Sequence, residues 1–259
     1  MTASRRQLLE LALVADPAPS GLRPSGRGPS ELRPVVILGG WLRAPLGSAL
    51  IRQGSTWVVC TCLLEERVPQ WRRGSGRGWL SATYAMLPGS SAERTQRERR
   101  GAGGRTHEIE RLVGRSLRGA LDLSLLPEWT LHVDCDVLQA DGGTRTAAIT
   151  GGWVAVALAV HALAAAGRVS RDVLARQVAA VSVGVVGAAV LLDLDYQEDV
   201  GAGTDMNVVM TGDGCFLEAQ ATAEGQPFTN GDLAGMLELA ASGIARLCAI
   251  QKEAVDAHA

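Results

Sequence analysis

The stretch "TAAITGGWVAVALAVHALAAAG", residues 146–167, is apolar on nearly every side. A helix without a polar face has to be covered all round, by lipid or by the rest of its own protein. This one is long enough to span a bilayer. Gly151, Gly152 and His161 interrupt it, however, and no basic flank or aromatic belt accompanies it. It is therefore expected to be a core helix, with small residues that admit neighbours closely. A chain of 259 residues can bury a core of that size.

Strand-rich segments flank the run. Before it, "RPVVIL" (33–38), "GSALIRQG" (47–54) and "STWVVCTCLL" (55–64) carry the Val, Ile, Thr and Trp enrichment of strands. "HEIERLVGRSLRGALDL" (107–123) sets Ile109, Leu112, Val113, Leu117 and Leu121 on one helical face. "WTLHVDCDVLQ" (129–139) alternates as a strand. After it, "AAVSVGVVGAAVLLDLDY" (179–196) predicts two buried strands around Gly187, and residues 205–225 predict a hairpin turned at "GDG". "TNGDLAGMLELAASGIARLCAIQKEAV" (229–255) predicts a capped terminal helix. The fold class expected is α+β, with mixed β-sheets packed against helices and two strand-rich halves joined by a buried central helix. Residues 21–259 are expected to form a single domain behind a poorly ordered extension, 1–20, whose apolar run is too short for a secretory signal.

The five cysteines have neither zinc-site nor CxxC spacing, and their odd count argues against a disulfide framework. A reducing cytoplasm is the expected setting, and no membrane partner is expected. The net charge of −2 hides an asymmetry. Twelve arginines and four acids lie between Arg67 and Arg118, a net +8, whereas Gln177 to Ala245 contains ten acids and no Lys or Arg. The first surface suits a polyanion and the second a hard cation, unless the two face each other.

Three motifs carry chemistry. "DGGTR" (141–145) joins the strand to the central helix. Backbone N–H groups at a helix start can hold an anion, glycines let it approach, and Thr144 and Arg145 add donors. The alternative is a tight turn with Thr144 as the cap. "GAGGRT" (101–106) is a second corner of the same kind, ahead of the helix at His107, and the pair could clamp one anion from two sides. "DLDYQEDVGAGTDMN" (193–207) sets Glu198, Asp199 and Asp205 on a loop after a buried strand. Carboxylates clustered without a basic partner repel unless a cation such as Mg²⁺ joins them. The Walker pattern is absent, and no Ser/His/Asp or Cys/His pair is recognisable.

"RPSGRGPSELRPV", "GSGRGWLSATYAMLP", "GGRTHEIERLVGRSLR", "DCDVLQADGGTRTAAITG", "DLDYQEDVGAGTDMNVVM" and "TAEGQPF" together resemble the RNase PH family, phosphate-dependent 3′-to-5′ exoribonucleases that trim tRNA precursors. The resemblance covers about residues 21 to 255. It implies an RNase PH-type fold and a reversible nucleotidyl transfer, in which inorganic phosphate attacks the last phosphodiester and releases a nucleoside diphosphate. It further implies that Arg105, Gly143, Thr144 and Arg145 hold the phosphate, that Asp199 and Asp205 hold Mg²⁺, and that these groups are the catalytic set. Arg94, Arg97, Arg99 and Arg100 are candidates for contact with the RNA backbone, and the tRNA 3′ end is the expected partner. The family assembles as a hexamer, a trimer of dimers. Thr83, Gly89 and Ala221 depart from its pattern, and Gly89 with a shortened arginine loop bears on ring assembly. A non-catalytic RNA-binding or ring-structural role is the alternative.

Overall fold

The computed structural model describes residues 23–96 and 103–258. Arg97, Arg99 and Arg100, and the extension 1–20, lie outside them. The first sheet contains β1 (Val35–Gly39), β2 (Gly47–Gln53), β3 (Thr56–Glu65), β4 (Trp79–Met86) and β5 (Thr130–Gln139), in the order β1-β2-β3-β5-β4. Its pairings are antiparallel except β4 with β5, which run parallel. Parallel neighbours need a crossover, and α1 (Gly104–Gly119) provides it. Ile109, Leu112, Val113 and Leu117 form the buried face of α1, as its periodicity predicts. The helix begins at Gly104, however, not at His107, so the second glycine–arginine corner is its first turn.

The apolar run is α2 (Thr144–Ala165), and every residue from Thr146 to Val160 is buried. It packs against β1, β2, β3 and β5 on one side and against β6 (Val178–Val186) and β8 (Thr204–Thr211) on the other. Small residues make this possible. A Cβ on Gly47 of β2 would lie 2.0 Å from the Ala155 carbonyl oxygen, and one on Gly151 would lie 2.8 Å from the Ile51 side chain. The second sheet runs β7-β6-β8-β9, with β7 (Ala189–Leu192) and β9 (Phe216–Ala223) at its edges. The short α3 (Tyr196–Val200) follows β7, and α4 (Asn230–Asp256) covers the second sheet. Thr229 and Asp232 close the start of α4 as a reciprocal capping box.

The junction between the halves is ionic. Asp193 is fully buried and is the one non-glycine residue with positive φ (56°) among the described residues. Its carboxylate accepts from the Arg33 backbone N–H (2.7 Å), from Arg33 Nη2 (2.6 Å) and from Gln53 Nε2 (2.7 Å). Arg33 Nη1 also donates to the Asp141 carbonyl, at the turn before α2. Nearby, Arg23 grips Glu198 through both carboxylate oxygens, and Arg27 Nη2 lies 3.3 Å from the same carboxylate. Glu198 is thus no member of a repelling acidic loop. It faces inward from α3 and has two basic partners. The acidic stretch is neutralised here by the segment before β1, not by the arginines between 67 and 118, of which Arg115 does reach Glu218 at 2.7 Å.

Burial opposes ionisation of Asp193, yet the charge and hydrogen bonds of Arg33 outweigh it and hold the carboxyl below its usual range. Glu198 is held low in the same way, against burial, by Arg23. A carboxyl whose folded pKa lies below the unfolded value of about 4 stabilises the fold above that pH, and the contribution is lost as pH falls through the folded value. Asp193→Asn leaves Arg33 buried without its counter-charge and is expected to cost about 3–5 kcal/mol at pH 7. Thermal unfolding from pH 7 down to pH 3 checks this: the gap between the wild type and Asp193→Asn should narrow in acid. A gap independent of pH would mean that the pair is not held ionically.

Candidate active site

Two helix starts and one strand end meet beside the ionic junction. At the start of α2, Gly142 and Gly143 have φ of 71° and 63°. A Cβ on Gly142 would sit 2.7 Å from the Leu194 carbonyl oxygen, and one on Gly143 would sit 3.0 Å from Arg33 Nη2. Only glycine gives both the left-handed turn and this close approach. The Thr56 hydroxyl fixes the turn, donating to the Gly142 carbonyl (2.6 Å) and accepting from the Asp141 N–H (2.9 Å). The N-cap is Gly143 and no side chain caps the helix, so Thr144 is its first residue rather than its cap. At the start of α1 the N-cap is Gly103, again without a side-chain cap. The start of α2 therefore keeps backbone donors available to an anion.

The two starts lie side by side. Arg145 Nη1 of α2 is 3.9 Å from Glu108 Oε1 of α1, a loose contact that leaves the guanidinium free to take another acceptor. Arg105 and Arg145 both act electrostatically on the same two groups, Tyr84 and Asp199. The Tyr84 hydroxyl, beneath α2, donates to Thr144 Oγ1 at 2.8 Å. Burial pushes the Tyr84 phenol above its usual range, although Thr144 and the arginines pull it back, so it remains a donor at neutral pH. The Thr144 hydroxyl accepts that proton and keeps its own to donate outward. Sequence reasoning missed Tyr84. It occupies a buried position on β4 beside Thr83, with no motif to separate it from packing.

Asp199 and Asp205 belong to regular elements, α3 and β8, and not to a loop. Loss of hydration, and then the charge of Asp205, raise the Asp199 carboxyl above its usual range, against the pull of Arg145, Arg105 and Arg33. Among the described residues neither carboxylate has an ion pair or a side-chain hydrogen bond. A carboxylate whose ionisation a second carboxylate opposes belongs to a donor set suited to a divalent cation. Mg²⁺ takes one or two carboxylates and completes its shell with phosphates and water. No group of three or more His, Cys, Asp or Glu gathers for a metal among the described residues, so such a cation would depend on a substrate's oxygens.

The remaining positions lie farther out. Arg94 is exposed after β4. A Cβ on Gly89 meets nothing within 4 Å, so neither space nor backbone demands glycine there. Thr83 donates to Asp134 at 2.7 Å on the open face of the first sheet. Ala221 pairs with Met206 and packs against the core of the second sheet.

Residues 31–161 match the model of the 3′ exoribonuclease family, domain 1, and residues 176–243 match domain 2. Ribonuclease PH of Moorella thermoacetica is 56% identical over 234 residues, covering 90% of this chain and 94% of that protein. Ribonuclease PH of Parasynechococcus marenigrum is 51% identical over 239 residues, covering 92% and 96%. Among solved structures, rice (Oryza sativa) Rrp46 superposes with a TM-score of 0.75 at 19% identity, covering 90% of this chain and 100% of that one. The Archaeoglobus fulgidus exosome with RNA bound to the active site gives 0.72 at 21% identity, covering 88% and 92%. The fold, the two family models and the identity over nearly the whole length lead to one conclusion: the chain belongs to the RNase PH family of 3′ exoribonucleases.

Proposed function

We propose that the paired starts of α1 and α2 hold the attacking phosphate, and that Asp199 and Asp205 face the scissile phosphodiester across it. The enzyme is a phosphorolytic 3′-to-5′ exoribonuclease that processes tRNA 3′ ends, with inorganic phosphate as co-substrate. An oxygen of that phosphate bonds to the last phosphorus of the RNA. The bond from this phosphorus to the 3′ oxygen of the preceding nucleotide breaks, and that oxygen takes a proton. The products are a nucleoside diphosphate and an RNA shorter by one residue, and the step is reversible.

The observation that carries the assignment of the site is a contrast among the helices. The two at this site have a glycine N-cap and no side-chain cap, whereas α3 and α4 are both closed by capping boxes. Phosphate is already an anion at neutral pH and needs no strong base. The obstacle is repulsion between it and the RNA backbone. Arg105, Arg145, the Thr144 hydroxyl and the backbone at Gly143 offset that repulsion and orient the nucleophile. Tyr84 fixes the rotamer of Thr144. Asp199 and Asp205 would hold Mg²⁺, whose charge, when bound, neutralises the scissile phosphate and the leaving oxygen.

Arg94, with Arg97, Arg99 and Arg100 of the same segment, supplies contacts to the RNA backbone, which makes binding salt-dependent. One neighbour of the same fold is an archaeal exosome core, and this supports an assembly of several chains here also, with the hexamer as the assembly to test. Gly89 deprives one turn of the charge that an arginine would bring to such a contact. Residues 21–259 act as one unit, because α2 packs on both sheets. A cytoplasmic setting is supported by the cysteines, which are free thiols.

Three measurements test this reading. Incubated with a tRNA carrying extra 3′ nucleotides, Mg²⁺ and phosphate, the protein should release nucleoside diphosphates; release of monophosphates, or equal turnover without phosphate, contradicts it. Arg145→Ala should raise the KM for phosphate and lower kcat/KM by about 10²- to 10³-fold, with RNA affinity retained. Unchanged turnover at low phosphate would remove Arg145 from the site. Mg²⁺ should raise the melting temperature of the wild type by mass action and leave that of the double variant Asp199→Asn/Asp205→Asn unmoved. An equal rise in both would place the cation elsewhere.

A further inference from the structure

The chain has two tyrosines, one at this site and one on the helix that carries Asp199. Tyr84 lies beneath Thr144, whereas Tyr196, the first residue of α3, is 62% exposed. Successive helical residues turn by about 100°. Glu198 faces inward onto Arg23, so Tyr196 and Val200 share the opposite side, with Asp199 next to them. Val200 is 69% exposed. The Tyr196 backbone N–H donates to Asp141 Oδ1 at 3.3 Å, and a Cβ on Gly142 would lie 2.9 Å from that same nitrogen. Tyr196 therefore leaves the backbone between the glycine turn that carries Thr144 and Arg145 and the carboxylate of Asp199. None of the three hydrophobic clusters among the described residues includes its ring.

We propose that Tyr196 is a stacking platform for a nucleobase at the 3′ end of the RNA. The inference rests on the phosphorolytic reading of the site. Arginines and carboxylates handle phosphates, and none of them recognises a base. An aromatic face next to them adds affinity for any base, because every base has a π-face. That suits an enzyme that removes successive nucleotides of differing identity. Hydrogen-bond readout of one base would stall it at the next.

The test uses an oligoribonucleotide with 2-aminopurine as its 3′-terminal base, titrated in Mg²⁺ without phosphate so that no turnover occurs. Wild type and Tyr196→Phe should quench the fluorophore on binding. Tyr196→Ala should bind about 5- to 100-fold more weakly and leave the fluorophore bright at saturation, with an unchanged melting temperature and an unchanged KM for phosphate. Replacing the terminal nucleotide by an abasic one should weaken wild-type binding to the level of Tyr196→Ala and leave that variant unaffected. Equal quenching and affinity in wild type and Tyr196→Ala would overturn the proposal, as would an equal further loss for both proteins on the abasic substrate. The release of nucleoside diphosphates by the wild type is a separate readout. Its failure would refute the phosphorolytic reading, and the quenching arm would still decide the role of Tyr196.

Discussion

The contact between Arg33 and Asp193 organises the molecule. It joins the segment before β1 to the end of β7, two regions 160 residues apart in sequence. The same guanidinium reaches the carbonyl of Asp141 and so holds the turn from which α2 starts. One buried pair thus fixes three things at once: the docking of the second sheet, the path of the chain before the first, and the position of the glycine turn. Buried ion pairs are costly to desolvate, and geometry has to be good for them to hold. Here the geometry is good because the carboxylate accepts several donors and Gln53 completes the set.

The site built on this junction is divided by charge. On one side are two helix starts with glycine N-caps and an arginine in the first turn of each. On the other are two carboxylates, one of them pushed above its usual pKa first by loss of hydration and then by its neighbour. Neither side is relaxed in the protein alone. In the proposed reading a phosphate satisfies the first and a divalent cation the second, and a phosphodiester between them is drawn to the arginines and to the cation. The groups that would act on the substrate are those whose electrostatic needs the fold leaves unmet, whereas Asp193 and Glu198, a few residues away, are fully paired.

The contrast explains what could be read from the sequence. The glycine–arginine corners were visible because they are local: a strand end, a turn and a helix start within a few residues. The all-apolar α2, the alternation of β5 and the cap at Thr229 were visible for the same reason. The partners of Asp193 and Glu198 were not. Arg23, Arg27 and Arg33 lie far away in sequence, in a stretch with no periodicity, and nothing in the spelling of "DLDYQED" separates Glu198, which is paired, from Asp199, which is not. Tyr84 escaped for a different reason. In a strand, an aromatic pointing inward is ordinary, and only the hydroxyl's contact with Thr144 distinguishes it. The start of α1 lies three residues ahead of the point that the apolar periodicity predicts, because Gly104 is a poor helix former and carries no apolar signal.

The unbroken burial of α2 from Thr146 to Val160 has a consequence for how a chain of this kind can change. Most helices that present functional groups have a solvent-facing stripe where substitutions are absorbed. From Thr146 to Val160 this helix has none. Thr144 and Arg145 therefore ride at the head of an element in which each position is constrained by one sheet or the other. A change of volume along it shifts the head as well as the packing. Between Thr146 and Val160, variants that lose activity and variants that lose stability are drawn from the same set of positions, so mutational scanning of that stretch should show a single class of phenotype where most enzymes show two.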